Sequence, residues 1–187
     1  MRKNHAWSIQ TMVFTGLLVA IQIVLSRVLM IETPITRITF GTIATILAGL
    51  WMGPVVGGIE GAAADLIGGF MKYGLSINPV ITLSAASWGI IAGFAGWFLA
   101  GKSKRVKSVI ICVEIVFSGV IGTLGLTTLG VSMMTGTSFL SLLSTRIPQF
   151  LIMAPVNCVV TNILYFSPLT ELVLKNLKLG ELRKRTV

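Results

Sequence analysis

Residues 79–134 read PVITLSAASWGIIAGFAGWFLAGKSKRVKSVIICVEIVFSGVIGTLGLTTLGVSMM. Two long apolar runs, Pro79 to Ala100 and Val109 to Met134, flank a turn that holds Lys102, Lys104, Arg105 and Lys107. A bilayer core about 30 Å thick takes about 20 apolar residues of helix, so each run is long enough to cross. Positive loops stay on the cytoplasmic side, which places this turn inside.

Working outward from that turn, the chain repeats the pattern. Further apolar segments are Trp7 to Met30, Phe40 to Met52, Val55 to Met71 and Ile147 to Leu174. With a cytoplasmic N-terminus, Arg2 and Lys3, the central turn, and Lys175, Lys178, Arg183, Lys184 and Arg185 all face inward. Only Arg37, Lys72 and Arg146 face outward, and Arg27 lies within the first span. The reading is therefore an all-α integral membrane protein, residues 1–187 forming one domain of six transmembrane helices with both termini cytoplasmic.

Composition agrees: 54% of residues are hydrophobic and 11% charged, which leaves no room for a soluble domain. The net charge of +9 does not point to nucleic acid, because the cations are spread over three patches beside helix ends, where anionic lipid accounts for them. The N-terminal run is longer than a signal-peptide core, and Arg27 follows it without a small-residue cleavage site, so it reads as a retained helix. Cys112 and Cys158 both sit in apolar spans and read as small buried hydrophobes.

The second segment is short: Phe40 to Met52 rises about 20 Å as helix. Either it extends back through Arg37, or Ile31 to Thr39 dips toward membrane depth as irregular backbone, which is tolerated only where protein buries it or a watery cavity receives it. A cavity open to the outside is the economical reading. Two outer loops, Lys72 to Pro79 and the Ser/Thr-rich Thr135 to Thr145, either close over a ligand or simply connect helices; Gly74 and Gly136 supply turn geometry.

Ionisable residues at membrane depth cost roughly 3 kcal/mol each on insertion scales and so call for a reason. Arg27, Asp65 and Arg146 fall in the outer half, with Arg37 and Lys72 above them; Glu60 and Glu114 lie further in. An Arg fork suits a carboxylate, since it donates two parallel hydrogen bonds. The alternative for Arg27 and Asp65 is an ion pair joining the first and third helices. Trp88 and Tyr73 are placed either to stack on a flat ring or to pack.

Gly96 to Ser103 matches the phosphate-loop pattern G-x-x-x-x-G-K-S/T letter for letter. That loop works only between a strand and a helix N-terminus, whereas here it ends a membrane helix, so it reads as a coincidence and the chain is not expected to hydrolyse ATP. The single histidine, His5, is terminal, and the six acids are scattered, which argues against a hydrolase, a metal centre or a cofactor. Small residues are ordered instead: Gly16 and Ala20; Gly53, Gly57 and Gly61; Gly89 and Gly93. Such spacing lets helices approach closely, within the fold or against another membrane subunit.

Nearly the whole chain resembles the substrate-binding membrane subunits, or S components, of energy-coupling factor vitamin transporters, and most closely their folate-specific branch. The resemblance rests on Leu25-Ser-Arg27-Val-Leu, Arg37-Ile-Thr-Phe-Gly41, Ala48-Gly-Leu-Trp-Met-Gly-Pro54-Val-Val-Gly-Gly58, Gly61-Ala-Ala-Ala-Asp65-Leu-Ile-Gly-Gly69, Thr82-Leu-Ser-Ala85 and Arg146-Ile-Pro-Gln149. Similar proteins carry Pro where Thr42-Ile-Ala44 stands and a Pro-Gly pair near Asn78-Pro79. The resemblance implies a multi-pass subunit of a prokaryotic plasma membrane that captures a vitamin at its outer face, gated by loops one, three and five. It further implies docking, through a small-xxx-small pattern that Gly16 and Ala20 match, on a transmembrane coupling protein that carries two ATPases. For folate, the glutamate carboxylates would pair with some of Arg27, Arg37, Lys72 and Arg146. The pterin would insert between helices, with Trp88 or Tyr73 on an aromatic ring and Asp65 or Asn157 at the pterin edge.

Two rivals stand beside this reading. An S component for another vitamin, such as hydroxymethylpyrimidine or a queuosine precursor, leaves the outer cations unexplained if the ligand is neutral. A small intramembrane enzyme lacks a catalytic constellation.

Overall fold

The computed structural model describes residues 9–28, 31–32, 37–73 and 78–184, with side chains throughout these ranges except at 31–32, 37–38, 72–73 and 178–184. Eight α-helices and one short hairpin make up this part of the chain. They are α1 (Ile9–Ile23), β1 (Ile31–Glu32), β2 (Arg37–Ile38), α2 (Thr42–Met52), α3 (Pro54–Tyr73), α4 (Pro79–Phe98), α5 (Lys104–Ser118), α6 (Thr128–Thr135), α7 (Phe139–Tyr165) and α8 (Pro168–Lys184). Wider π-helical turns extend α1 over Val24–Val28 and join α5 to α6 over Gly119–Thr127. Among the described residues, four continuous helices are long and apolar enough to cross a membrane: Ile9–Val28, Pro79–Phe98, Lys104–Thr135 and Phe139–Tyr165.

The short second segment has a physical explanation. Every residue of α2 from Ile43 to Met52 is buried, because α1, α3, α4, α7 and α8 all pack on it. A helix that is apolar all round belongs in an interior, so its length need not match a bilayer. The other helices instead expose large apolar side chains, such as Val13, Phe98 and Leu151, at about two-thirds (65, 67 and 65%), a surface suited to lipid.

Glycine lets α2, α3 and α4 touch backbone to backbone. A Cβ built on Gly57 would lie 2.6 Å from the Gly49 Cα and 2.6 Å from the Gly89 carbonyl oxygen. On Gly89 it would overlap the Gly57 carbonyl, and on Gly93 it would overlap Pro54. The ladders on α3 and α4 are thus spent inside the fold. Gly53 has φ 96°, a conformation that favours glycine, and it lets α2 turn directly into α3 with Pro54 in the first helical position.

Asn78 caps α4: its side chain accepts from the Val80 amide at 2.9 Å and donates to the Gly130 carbonyl at 2.8 Å, which ties the start of α4 to α6. At the other end of the bundle, the Trp51 indole donates to Thr170 at 3.2 Å, and Val173 and Leu177 join the α2 core, so α8 is held against the base.

Three sequence expectations change. Ile31 to Thr39 was expected as irregular backbone or as a backward extension of helix; its ends instead pair antiparallel, Ile31 with Ile38 and Glu32 with Arg37, and β2 lies against α7. The loop expected over Thr135 to Thr145 is only 136–138, with Gly136 (φ 69°) closing α6 and α7 starting at Phe139. The apolar run from Ile147 to Leu174 is not one helix: it breaks at Phe166 and Ser167, and α8 begins at Pro168. The sequence-stretch Gly96 to Ser103 runs from the end of α4 through a turn at Gly101 (φ 73°) into α5, with no strand before it.

Candidate functional site

Arg27 and Asp65, two of the side chains singled out above, lie close along α3. Arg27 sits in the π-helical turn that ends the first helix, half-buried, and its guanidinium lies against Gly68 of α3. A Cβ at Gly68 would be 2.8 Å from the Arg27 Nε and 3.1 Å from Nη2, so a side chain here would make the guanidinium shift. Asp65, one turn along α3, accepts a 2.8 Å hydrogen bond from the Thr82 hydroxyl of α4. Arg27 and Arg146 each have an interaction partner within the chain.

Beside them lies a buried polar rung. Glu60 of α3 is fully buried. With its amide nitrogen turned toward the carboxylate, Gln22 of α1 donates to Glu60 at 2.7 and 3.1 Å and meets Thr45 of α2 at 2.6 Å.

A further polar cluster forms at the wide turns between α5 and α6. Ser84 of α4 donates to the Gly122 carbonyl at 2.8 Å and shares a 2.7 Å hydrogen bond with Thr127, while Thr128 donates five residues back to Thr123 at 2.9 Å. Glycines at 119 and 122 let side chains from two sides press on this backbone: the Phe150 ring at Gly119, and the Trp88 indole nitrogen at Gly122. Trp88 is 8% exposed and belongs to the core around Ile46, Leu50 and Ile115. π-Helical turns recur at functional sites because they free carbonyls and re-aim side chains.

On α7, Arg146 is half-buried toward one end, and Asn157 is buried further along. The Asn157 Oδ1 has no hydrogen-bond partner among the described residues. An orphaned buried amide oxygen is costly, of the order of 1–3 kcal/mol, and is what a ligand donor would satisfy.

The structure therefore sets Arg27 against Gly68, one turn of α3 from Asp65, and puts Arg146 and Asn157 on one helix. The side chains of Arg37, Lys72 and Tyr73 lie outside the described residues, as does Gly74. Gly16 and Ala20 lie on an exposed face of α1, and a Cβ on Gly16 meets nothing within 4 Å. Cys112 and Cys158 are free thiols facing each other between α5 and α7, with Asn162 donating to the Cys112 sulfur at 3.6 Å. Glu114 accepts from Ser118 at 2.8 Å.

Comparison with known proteins agrees with this architecture. The family model for the ECF transporter, substrate-specific component, matches residues 10–165. A curated relative, folate transporter FolT of Clostridium novyi (strain NT), is 32% identical over 152 residues, 81% of this chain and 86% of that protein. A crystal structure of FolT bound with folic acid superposes with a TM-score of 0.71 at 26% identity, covering 83% of this chain and 92% of that one. The buried α2, the glycine-packed α3 and α4 and the polar end of the bundle thus belong to a multi-pass membrane protein, and the chain is a member of the ECF transporter substrate-specific component family.

Proposed function

We propose that this chain captures folate at the outer face of a prokaryotic plasma membrane, as the specificity subunit of an ABC-type importer. On this reading the six spans are α1, α2, α3, α4, the α5–α6 unit and α7, with both termini cytoplasmic and α8 along the inner surface. The end holding Arg27, Asp65 and Arg146 is then the extracellular one.

The observation that carries this reading is the separation of cation from amide. Arg146 and Asn157 stand eleven residues apart on α7, about 16 Å along the helix, and Arg27 lies one turn above Asp65 across the bundle. An elongated ligand with carboxylates at one end and a hydrogen-bonding heterocycle at the other suits that spacing, and folate has this form. Its glutamate carboxylates meet Arg27 and Arg146, with Arg37 and Lys72 at the mouth. The pterin passes inward, its edge toward Asp65 and Asn157, with Trp88 or Tyr73 beside an aromatic ring. Likeness to two folate transporters supports the ligand.

This chain supplies no catalytic group. Transport energy comes from two ATPases on a transmembrane coupling protein, which docks on the open small-residue face at Gly16 and Ala20. Radiolabelled folate binding to Arg27→Ala and Arg146→Ala tests the site. Loss of a charge-assisted pair should weaken binding roughly tenfold or more in each. Unchanged affinity in both would end this assignment.

A further inference from the structure

The rung formed by Gln22, Thr45 and Glu60 has no part in the site as described, yet it joins three helices at one buried point. Glu60 is 0% exposed, in the middle of a helix, and a carboxyl group there is expensive to bury. Aliphatic contact would hold the helices together at lower cost. What a hydrogen-bonded polar pair adds is register, because it is satisfied in one alignment and lost when the helices slide, as with a lone polar residue in a coiled-coil seam.

Register matters here because of what α1 carries next. Along α1 only Thr11, Leu18 and Val19 are buried, while Met12, Val13, Leu17 and Ile21 are exposed. Apolar packing therefore grips this helix weakly near its end. The helix then widens into π-helical turns over Val24–Val28, and Arg27 must still meet Gly68 with no room for a methyl group. Gln22 lies five residues before Arg27, about 7.5 Å along the axis, and Glu60 lies eight before Gly68, about 12 Å. The start of α2 locks the same stretch, since a Cβ on Gly41 would be 2.8 Å from the Ser26 Cβ and 3.2 Å from the Gln22 carbonyl oxygen.

We infer that Glu60 is a positioning residue: by holding Gln22 it sets the alignment of α1 on α3, and so places the Arg27 guanidinium for the ligand's carboxylates. The inference rests on the carboxylate-site reading given above. It assigns Glu60 no contact with the ligand, and it makes Thr45 the part of the rung that keeps Gln22 turned toward α3.

The test compares two ligands on the full-length, detergent-purified protein: folate and its dimethyl ester, in which both carboxylates are masked. Glu60→Leu should weaken folate about tenfold and the ester less than about twofold, because only the carboxylate end loses its placement. Glu60→Gln, which keeps a hydrogen-bonding partner for Gln22, should restore folate binding to within about threefold of the parent. If Glu60→Leu does not fold, Gln22→Ala carries the same selective loss. A loss shared equally by both ligands, or no loss in either, overturns the inference. Arg27→Ala run in parallel separates the two claims: if it too fails to distinguish folate from the ester, the carboxylate-site reading falls. If it distinguishes them and the Glu60 variants do not, the positioning role alone falls.

Discussion

The Arg27 guanidinium lies against the backbone of α3 at Gly68, so that a methyl group on Gly68 would sit 2.8 Å from Nε. A cation carried by one helix thus depends on the absence of a side chain on another. Gly68→Ala should push Arg27 away and weaken folate binding about tenfold, while the added methyl itself favours helix formation. Titration and thermal melting of the purified variant together check this: affinity falls and the melting temperature holds. Unchanged affinity would mean that the guanidinium is not placed by this contact.

Asn157 carries a buried oxygen with no partner among the described residues. Asn157→Leu removes that desolvation penalty, so the ligand-free protein should melt at the same temperature or higher. Folate should bind about tenfold more weakly, since the group proposed to meet the pterin edge is gone. A variant less stable when empty and still binding normally would make Asn157 structural.

The glycines divide into two kinds. Gly89 has no space, because a Cβ there would overlap the Gly57 carbonyl, whereas a Cβ on Gly16 touches nothing. Gly89→Ala should cost at least about 2–3 kcal/mol or prevent folding, as overpacking does. Gly16→Leu should leave melting and folate affinity unchanged and reduce folate uptake in cells that contain the coupling protein and its ATPases. A stable Gly89→Ala protein would contradict the α3–α4 packing, and normal uptake by Gly16→Leu would remove α1 as the docking face.

Much of this fold is legible in the sequence, and the exceptions share a cause. The run from Pro79 became α4 because Asn78 caps it, Pro79 suits a first turn and no charge interrupts it. The Ser/Thr-rich stretch before Arg146 reads as loop on water-based propensities, yet it is helix. In it Ser144 donates to Ser141 O at 2.8 Å and Thr145 to Leu142 O at 2.9 Å, so the hydroxyls are satisfied by their own helix and need no solvent. Pro148 and Pro155 likewise sit inside α7 without ending it, as apolar helices allow when neighbours re-satisfy the freed carbonyls. The π-helical turns leave no distinctive residue pattern, so the aim of Arg27 could not be read in advance.

For the site, residue type and depth pointed to Arg27, Asp65 and Arg146, because ionisable groups are rare at membrane depth, and the family resemblance added Asn157. The partners were not legible. Gly68 under Arg27, Thr82 on Asp65 and Gln22 on Glu60 are meetings between helices, set by rotation and tilt that one-dimensional spacing does not carry.

The most direct measurement is calorimetric titration of the purified, detergent-solubilised protein with folate, after confirming that no ligand was carried through purification. The account predicts tight one-to-one binding that the dimethyl ester of folate does not match. A folded, empty protein that releases no heat with folate, and whose melting temperature folate does not raise, would contradict it.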